Sequence, residues 1–463
     1  MSSKRLFRLL SLALMILFLG AGSASAQTQD AGAPAENSVT TIGSDGQATT
    51  GGALTSDDTI VVNPGMVTKM TIAVSDLAVL GGSHGSAASA LPRRLSTNLN
   101  MTGLFTLLDQ RAFLETNPAI GVDGQSSPDF MAWSRINAQY LVKGGLSGSG
   151  SKVNLDMRLF DVAKGTQILA RTYSGPAKDS SRMMNQFTND LLEAITGVPG
   201  VFGSQIIYAS GSAPNRVVML TELGGDEAVQ VSRLKGGPST QPSLGPGGRM
   251  AWVHRNGKNW ELLVDGKVIS SGPTHLSPAF RPDGVVAAAY SEAQKTSIYA
   301  FHGKGSKTLL SGLGGINVSP SFSPDGSRMV FTSNQDGVTS LFIGSASGGG
   351  GASRLTSGAK ATDPSWSPAG DFITFVSRET DVCIIRPDGT GYRQLTGGQG
   401  RNHHPSFSPD GRMIVFSSTR NGRAQLFVMS ANGDNQQPLM PDNRSSQEEP
   451  SWCPTMPAAY GRK

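Results

Sequence analysis

The stretch "HHPSFSPDGRMIVFSS" (residues 403–418) has the pattern of a strand, a tight turn and a second strand. In its "SPDG" turn, proline presets φ at the second position, and glycine accepts a positive φ at the end. Similar units occur earlier in the chain as "VSPSFSPDGSRMVFTS", "TDPSWSPAGDFITFVS" and "LSPAFRPDGVVAAAY". The stretch is therefore one copy of a repeat.

The spacing of this repeat predicts its architecture. Its first proline falls at Pro242, Pro278, Pro320, Pro364, Pro405 and Pro450. A period of about 40–45 residues, with several short strands in each unit, is typical of β-propeller blades. The last motif lacks its second strand, and "SQIIYAS" (204–210) resembles the missing one. We therefore predict six blades, with the two ends of the propeller sharing one blade and leaving no free sheet edge.

The apolar residues of the repeat predict a core role. The aromatic side chains that follow the first proline are expected to pack between adjacent blades rather than to bind a ligand; they are Phe280, Phe322, Trp366, Phe407 and Trp452. Cys383 and Cys453 are the two cysteines and lie two repeats apart. An exported protein can keep a disulfide, but this separation favours two buried free thiols.

The N-terminus has the three parts of a secretory signal. Lys4, Arg5 and Arg8 precede the apolar run Leu9 to Leu19, and "ASA" (24–26) is a small-residue cleavage site. Residues 1–26 are therefore predicted to be a cleaved signal peptide rather than a retained anchor. Removing these three cations lowers the formal charge from +5 to about +2. A nearly neutral chain without a basic run argues against nucleic acid as a partner. Residues 27–56 are poor in large apolar side chains and are predicted to be a disordered tail.

In residues 57–200, some segments have apolar residues at helical spacing and others at the alternating spacing of strands, which predicts a small α/β domain. "KMTIAVSDLAVL" is strand-like, and "QYLVKGGLSG", "KVNLDMRLFDV" and "TQILARTYSG" (within residues 139–175) indicate a β-meander. A closing helix is predicted from apolar residues at every fourth position from Met183 to Ile195, with Gly197 as its C-cap. The predicted fold is a two-domain chain, with this N-terminal α/β domain followed by a six-bladed β-propeller at 201–463. The short "TGVPG" connector predicts that the two domains can change their relative orientation.

These features together resemble the TolB family of the Tol–Pal system. The resemblance covers residues 57–463 and includes "LSTNLNMTGLFTLLD", "MAWSRINAQYLVKGGL", "VNLDMRLFDVAKGTQILA" and, at the domain junction, "LLEAITGVPGVFGSQIIYAS". It implies a non-enzymatic periplasmic scaffold without cofactors. Such a scaffold binds the lipoprotein Pal through the propeller, communicates with TolA and other Tol envelope proteins, and supports outer-membrane integrity and cell division.

Two departures from the family pattern bear on these expectations. The tail at 27–56 is longer than family members usually carry, which leaves TolA binding by the N-terminus open. The first motif, "QPSLGPGGRMAWV", lacks both the aromatic residue and the aspartate, so blade 1 is expected to pack less regularly. We expect a monomer that is peripheral to membranes.

The residues just before the first proline of each repeat are the candidate site. The first strand of a repeat is the innermost of its blade, so these residues are predicted to surround one mouth of the central channel. They are Gln241, His275, Ser277, Ser319, Thr362, Asp363, His403, His404, Glu448 and Glu449. The resemblance implies Pal contacts on this ring, with the best correspondence at Thr362 and Asp363. Polar groups that converge around an opening suit a wet protein interface, and ordinary solvated loop residues are the alternative.

Two other interpretations remain open. "GGSHG" (81–85) matches the nucleophile elbow of α/β-hydrolases, which would make Ser83 catalytic. That fold needs a downstream aspartate and then a histidine, but after His84 the next histidine is His254, in the propeller. The carboxylates of Asp363, Glu448 and Glu449 suit an acid/base pair or a cation such as calcium, although no EF-hand spacing supports calcium. Adjacent histidines on a strand point to opposite faces, so no metal site is predicted at His403 and His404. A periplasmic hydrolase using these carboxylates or Ser83 is thus the second hypothesis.

Overall fold

The computed structural model describes residues 69–456, apart from 83–84, 125, 150, 226, 293–294, 304, 350 and 442. The predicted signal peptide, the predicted tail and Ser83 lie outside the described residues. No helix within the described part of the chain is long and apolar enough to cross a membrane.

The N-terminal part is a mixed sheet with helices on both faces. Strand β1 pairs in parallel with β3 and β4, and β4, β5 and β6 form the predicted antiparallel meander. The elements are β1 (Met70–Val74), β2 (Ala78–Val79), α1 (Gly85–Thr102), β3 (Phe105–Leu107), α2 (Phe130–Arg135), β4 (Tyr140–Ser147), β5 (Lys152–Asp161), β6 (Thr166–Pro176) and α3 (Ser180–Thr196). Short 3-10 turns occur at Gln110–Ala112, Ala177–Asp179 and, in the propeller, Pro246–Gly248.

The alternation of side chains along β1 explains the two covered faces of this sheet. Ile72 and Val74 pack with helices α1 and α3, whereas Ala73 faces α2 and packs near Trp133. Helix α3 ends as predicted, because Gly197 has a left-handed φ of 76° and its N–H bonds to the Glu193 carbonyl.

The rest of the chain forms six four-stranded antiparallel blades. Blade 1 contains β10 (Ser239–Leu244), β11 (Met250–Asn256), β12 (Asn259–Val264) and β13 (Lys267–Gly272). Blade 2 contains β14 (His275–Phe280), β15 (Val286–Glu292), β16 (Lys295–Gly303) and β17 (Ser306–Ser311). Blade 3 contains β18 (Asn317–Phe322), β19 (Arg328–Ser333), β20 (Ser340–Ser345) and β21 (Ser353–Arg354).

The remaining blades follow the same order. Blade 4 contains β22 (Ala361–Trp366), β23 (Ile373–Ser377), β24 (Asp381–Ile385) and β25 (Arg393–Gln394). Blade 5 contains β26 (Asn402–Phe407), β27 (Met413–Ser418), β28 (Gln425–Ser430) and β29 (Gln437–Pro438). Blade 6 joins the last strand, β30 (Gln447–Trp452), to β7 (Gln205–Ser210), β8 (Val217–Glu222) and β9 (Val229–Gln230). The predicted six-bladed fold, with the two ends of the propeller sharing one blade, is confirmed.

The predicted aromatic residues pack between blades. Trp366 of blade 4 contacts a cluster that includes Val330 of blade 3, and Trp452 of blade 6 packs with Val415 of blade 5. Leu244 takes the corresponding place in blade 1, against blade 6. Cys383 and Cys453 are buried free thiols, as expected.

Candidate functional site

The inner strand of every blade begins with the same local geometry. Its first four residues are "STQP", "HLSP", "NVSP", "ATDP", "NHHP" and "QEEP" in blades 1 to 6. In these six inner strands the residue before the proline has φ between 48° and 57°, in the left-handed region. The pairing register with the second strand shifts at the same point. Proline has no N–H to donate to the ladder, so a bulge forms where it stands.

This bulge aims one polar side chain from each blade at the channel. The residues before the prolines line a cavity of about 470 Å³; they are Gln241, Ser277, Ser319, Asp363, His404 and Glu449. The prolines of the turns line the cavity further along, from Pro246 to Pro454. A left-handed conformation costs about 1–3 kcal/mol in a residue other than glycine, so its repetition in all six of these strands indicates a shared role. We call these six residues the polar ring.

One side of the polar ring is held by hydrogen bonds. Arg216 Nη2 lies 2.6 Å from Glu448 Oε2, and Arg216 Nη1 lies 3.4 Å from Glu449 Oε1. The other oxygen of Glu449 accepts from the backbone N–H of Gln241 at 2.6 Å and from the Thr240 hydroxyl. One guanidinium group thus pairs with both adjacent carboxylates of blade 6, fixes their positions and offsets one of their two negative charges.

The rest of the polar ring is held more loosely. Gln241 Oε1 accepts from the Ser277 N–H at 2.9 Å, and the Ser277 and Ser319 hydroxyls are 3.4 Å apart. Asp363 Oδ2 lies 3.4 Å from the Thr362 hydroxyl and 3.8 Å from His404 Nε2. Because these are long contacts, the Asp363 carboxylate keeps capacity for a stronger donor from a partner.

The second residues of the inner strands include Thr362, His403 and Glu448, which are half-buried beside the polar ring. Burial, with a smaller electrostatic contribution from the neighbouring His404, lowers the pKa of His403 to about 4. His403 is therefore neutral near pH 7, and its imidazole can both donate and accept a hydrogen bond.

The prediction that His275 lies at the channel mouth is wrong. His275 is the first residue of its inner strand, a position whose side chain is buried in all six described inner strands, and its exposed fraction is 0%. Its ring packs 4.9 Å from the Tyr290 ring and 5.5 Å from the Phe301 ring, centroid to centroid. In a regular strand the side chains of the first and third residues would point to the same face. Here the third residue has a left-handed conformation, so its side chain points to the channel while that of the first residue is buried.

Arg216 was not anticipated as part of the site. It follows β7 and precedes β8, whereas its partners lie more than two hundred residues later, on β30. Only the ring closure through blade 6 brings the two segments together. The one available signal was that "QEEP" places two carboxylates at a mouth position, where a cation is needed for balance.

The geometry of the site gives little support to the hypotheses of a metal site or a hydrolase. Within residues 69–456, as far as they are described, no group of three or more His, Cys, Asp or Glu side chains is arranged to hold a metal ion. Glu448 and Glu449 are occupied by Arg216, as described above. Ser83, the candidate nucleophile, lies in one of the gaps of the description.

Comparison with known proteins gives matches along both domains. The family model described as the TolB amino-terminal domain matches residues 58–168, and that described as the TolB beta propeller domain matches residues 192–456. A TolB homolog of Chlorobium luteolum is 33% identical over 385 residues, which cover 80% of this chain and 87% of the relative. A Tol-Pal system protein TolB of Desulfosudis oleivorans is 31% identical over 284 residues, covering 60% and 56% of the two chains.

Among solved structures, the crystal structure of TolB from Acinetobacter baumannii is similar to this chain. Its TM-score is 0.72 at 23% identity, and the match covers 84% of this chain and 97% of the other. At this identity the likeness establishes the fold: an amino-terminal domain followed by a six-bladed propeller.

Proposed function

This chain belongs to the TolB family of the Tol–Pal envelope system, and from that premise we propose that its polar ring binds the peptidoglycan-associated lipoprotein Pal. In this role the propeller is a non-enzymatic periplasmic scaffold, which presents the channel mouth to Pal. TolA and other Tol proteins engage the N-terminal side of the molecule. The assembly supports outer-membrane integrity and cell division.

The observation that carries this proposal is the repeated left-handed residue before each proline. It places six polar side chains in one ring, at the cost of backbone strain in each of the six inner strands. The ring combines carboxylates, hydroxyls, an amide and an imidazole around an opening, which suits a protein interface with many hydrogen bonds and trapped water.

Asp363 is the residue best suited to a direct contact. Its side chain is 20% exposed, and its two polar neighbours lie at 3.4 and 3.8 Å. A cationic or N–H donor from Pal can approach it without first breaking a short hydrogen bond. Thr362, His404 and Glu448 stand beside it or on the same rim, and we propose them as further contacts, together with Ser277, Ser319, His403 and Glu449.

Calorimetric titration with the soluble domain of Pal tests this proposal. The variant Asp363→Lys reverses the charge at the mouth, and Asp388→Lys makes the same change in an exposed connection of the same blade on the opposite face. We expect Asp363→Lys to weaken Pal binding by about 2–4 kcal/mol, the range for a charge placed against its like at an interface. Asp388→Lys should bind as the wild type does.

The melting temperature of each variant separates loss of binding from loss of folding. Equal weakening by both substitutions would show that the mouth has no special part in binding. A wild-type protein that does not bind Pal at all would reject the proposed partner.

A further inference from the structure

The two faces of the propeller carry opposite charge. The mouth face contains the connections from second to third strands and those from each blade to the next. The described residues of these connections include ten lysine and arginine residues and two carboxylates. The described residues of the connections on the opposite face include four cations and eight carboxylates. Even when Asp363, Glu448 and Glu449 are included, cations outnumber carboxylates among the described residues of the mouth face, whereas carboxylates outnumber cations in the connections of the opposite face.

The cations of the mouth face are unevenly distributed around the opening. They begin on the connection from blade 3 to blade 4 and continue through blades 4, 5 and 6 to the connection between the second and third strands of blade 1. The described connections between the second and third strands of blades 2 and 3, and those that lead into these two blades, contain none. Arg233, Lys235, Lys258, Arg378 and Arg444 are exposed. No ion pair within the described part of the chain involves these five side chains. We call this arc of cations the basic collar.

We propose that the basic collar binds an acidic protein surface, whose carboxylates flank the segment that enters the channel mouth. This inference rests on the proposed function, because it assigns a chemistry to the partner of the same face. Exposed charges of one sign around a concave site raise the rate of encounter with a partner of opposite sign, and they fix its orientation.

Two features favour an acidic protein over an anionic lipid surface. The centre of the collar carries Asp363, Glu448 and Glu449, which would oppose anionic headgroups but can accept hydrogen bonds from a protein segment. The cations also lie along part of the rim of a concave opening rather than around a flat apolar patch. Leu234, 44% exposed between Arg233 and Lys235, is an exposed large apolar side chain on the collar itself, so lipid binding is tested as the opposing outcome.

The experiment compares two double variants of equal charge change. Arg233→Glu with Lys235→Glu alters the collar, and Lys267→Glu with Arg386→Glu alters exposed cations at the opposite face. Association rates are measured by stopped-flow fluorescence with the soluble domain of Pal and with poly-L-glutamate, and binding to phosphatidylglycerol vesicles by sedimentation. Salt is set to about 0.01 M and then 0.15 M, where the screening length falls from about 30 to about 8 Å.

We expect the collar variant to associate with Pal at least about tenfold more slowly than wild type at low salt, and the difference to shrink at the higher salt. Poly-L-glutamate should be bound by the wild type and by the opposite-face variant, but not by the collar variant. If both variants bind Pal and poly-L-glutamate equally well, the collar inference is overturned while the proposed function stands.

The remaining outcomes separate the two proposals. If poly-L-glutamate binds through the collar and Pal does not bind at all, the result would support an acidic protein as the partner of the collar and would reject Pal as that partner. Collar-dependent binding to vesicles, with no binding of poly-L-glutamate, would overturn the inference in favour of a membrane surface.

Discussion

Two histidines of the propeller are kept neutral by burial. The pKa of His275 is lowered to about 4, mainly by burial and in smaller part by the charge of Lys307, and that of His403 is lowered to about 4 as well. In the unfolded chain both groups titrate near 6.5. Between these values the unfolded state binds protons that the folded state does not, so the free energy of unfolding falls as the pH falls. The loss is complete below about pH 4 and absent well above pH 6.5.

His275→Phe tests this contribution. Both ring nitrogens of His275 lack a hydrogen-bond partner among the described atoms, and an apolar ring among Tyr290 and Phe301 removes that penalty. We expect the variant to be at least as stable as wild type at pH 7. We also expect it to lose about 3 kcal/mol less than wild type between pH 7 and pH 4. Urea unfolding at a series of pH values measures both quantities.

The exposed His302, substituted by glutamine, is the control for this experiment, because it lies in the same blade. An identical loss of stability on acidification in wild type and His275→Phe would show that His275 is not a buried neutral group. Pal binding should be unchanged in His275→Phe, since its ring does not line the channel.

At the scale of the strand, the serine after the first proline links neighbouring blades. The Ser406 hydroxyl accepts from the backbone N–H of Trp452 at 3.0 Å, and Ser321 accepts in the same way from Trp366. Ser451 does so for Leu244, across the junction of blades 6 and 1. The "PSF" motif thus supplies an interblade hydrogen bond as well as an interblade aromatic side chain.

Ser406→Ala should lower the free energy of unfolding by about 1–2 kcal/mol, because it leaves the Trp452 N–H without its acceptor. Ser365 occupies the same position in blade 4, and no such bond to blade 5 is found for it in the described structure. Ser365→Ala is therefore the matched control, with an expected loss below about 0.5 kcal/mol. Chemical denaturation of both variants gives the comparison, and equal losses would contradict the assigned role of the bond.

The repeat made the strands, turns and ring closure predictable, because each of them depends on local residue types and on a fixed period. In the turns, for example, the Ser408 hydroxyl accepts from the N–H of Met413 and donates to Asp410, all within one motif. The burial of His275 was not predictable, since it depends on a conformation that interrupts the alternation of the strand. Arg216 was missed because its contact with Glu448 forms only when distant segments meet in blade 6.

At the scale of the whole molecule, the N-terminal domain lies against the propeller face opposite the mouth. Asn435 of blade 5 donates to the carbonyls of Asn100 and Met101 at the end of α1, and Arg412 reaches Thr196 of α3. One apolar cluster also runs from these helices into blades 5 and 6. The short connector at 197–200 is thus accompanied by a broad contact, and a change of domain orientation would have to break it.

Gly224 of blade 6 lies at a close contact with both helices, and Gly224→Ala tests whether this contact holds the domains together. Arg94 of α1 and Asn185 of α3 both donate to the Gly224 carbonyl. Its φ is 70°, and an added Cβ would lie 2.8 Å from Asn98 Oδ1. We expect the free energy of unfolding to fall by about 1–3 kcal/mol and hydrogen exchange to accelerate in α1 and α3, because the helices must move away from blade 6.

Gly266→Ala separates the backbone strain from the lost contact. Gly266 has a similar φ of 77°, and an added Cβ would meet nothing within 4 Å. The Gly266→Ala variant should therefore be less stable than wild type, with no change in the hydrogen exchange of α1 and α3. If Gly224→Ala also leaves exchange in those helices unchanged, the contact does not restrain the domains, and the connector alone would set their orientation. If hydrogen exchange in α1 and α3 accelerates while Pal affinity stays constant, Pal binding at the mouth does not depend on the contact between the two domains. That result would fit the position of the mouth and of the domain contact on opposite faces of the propeller.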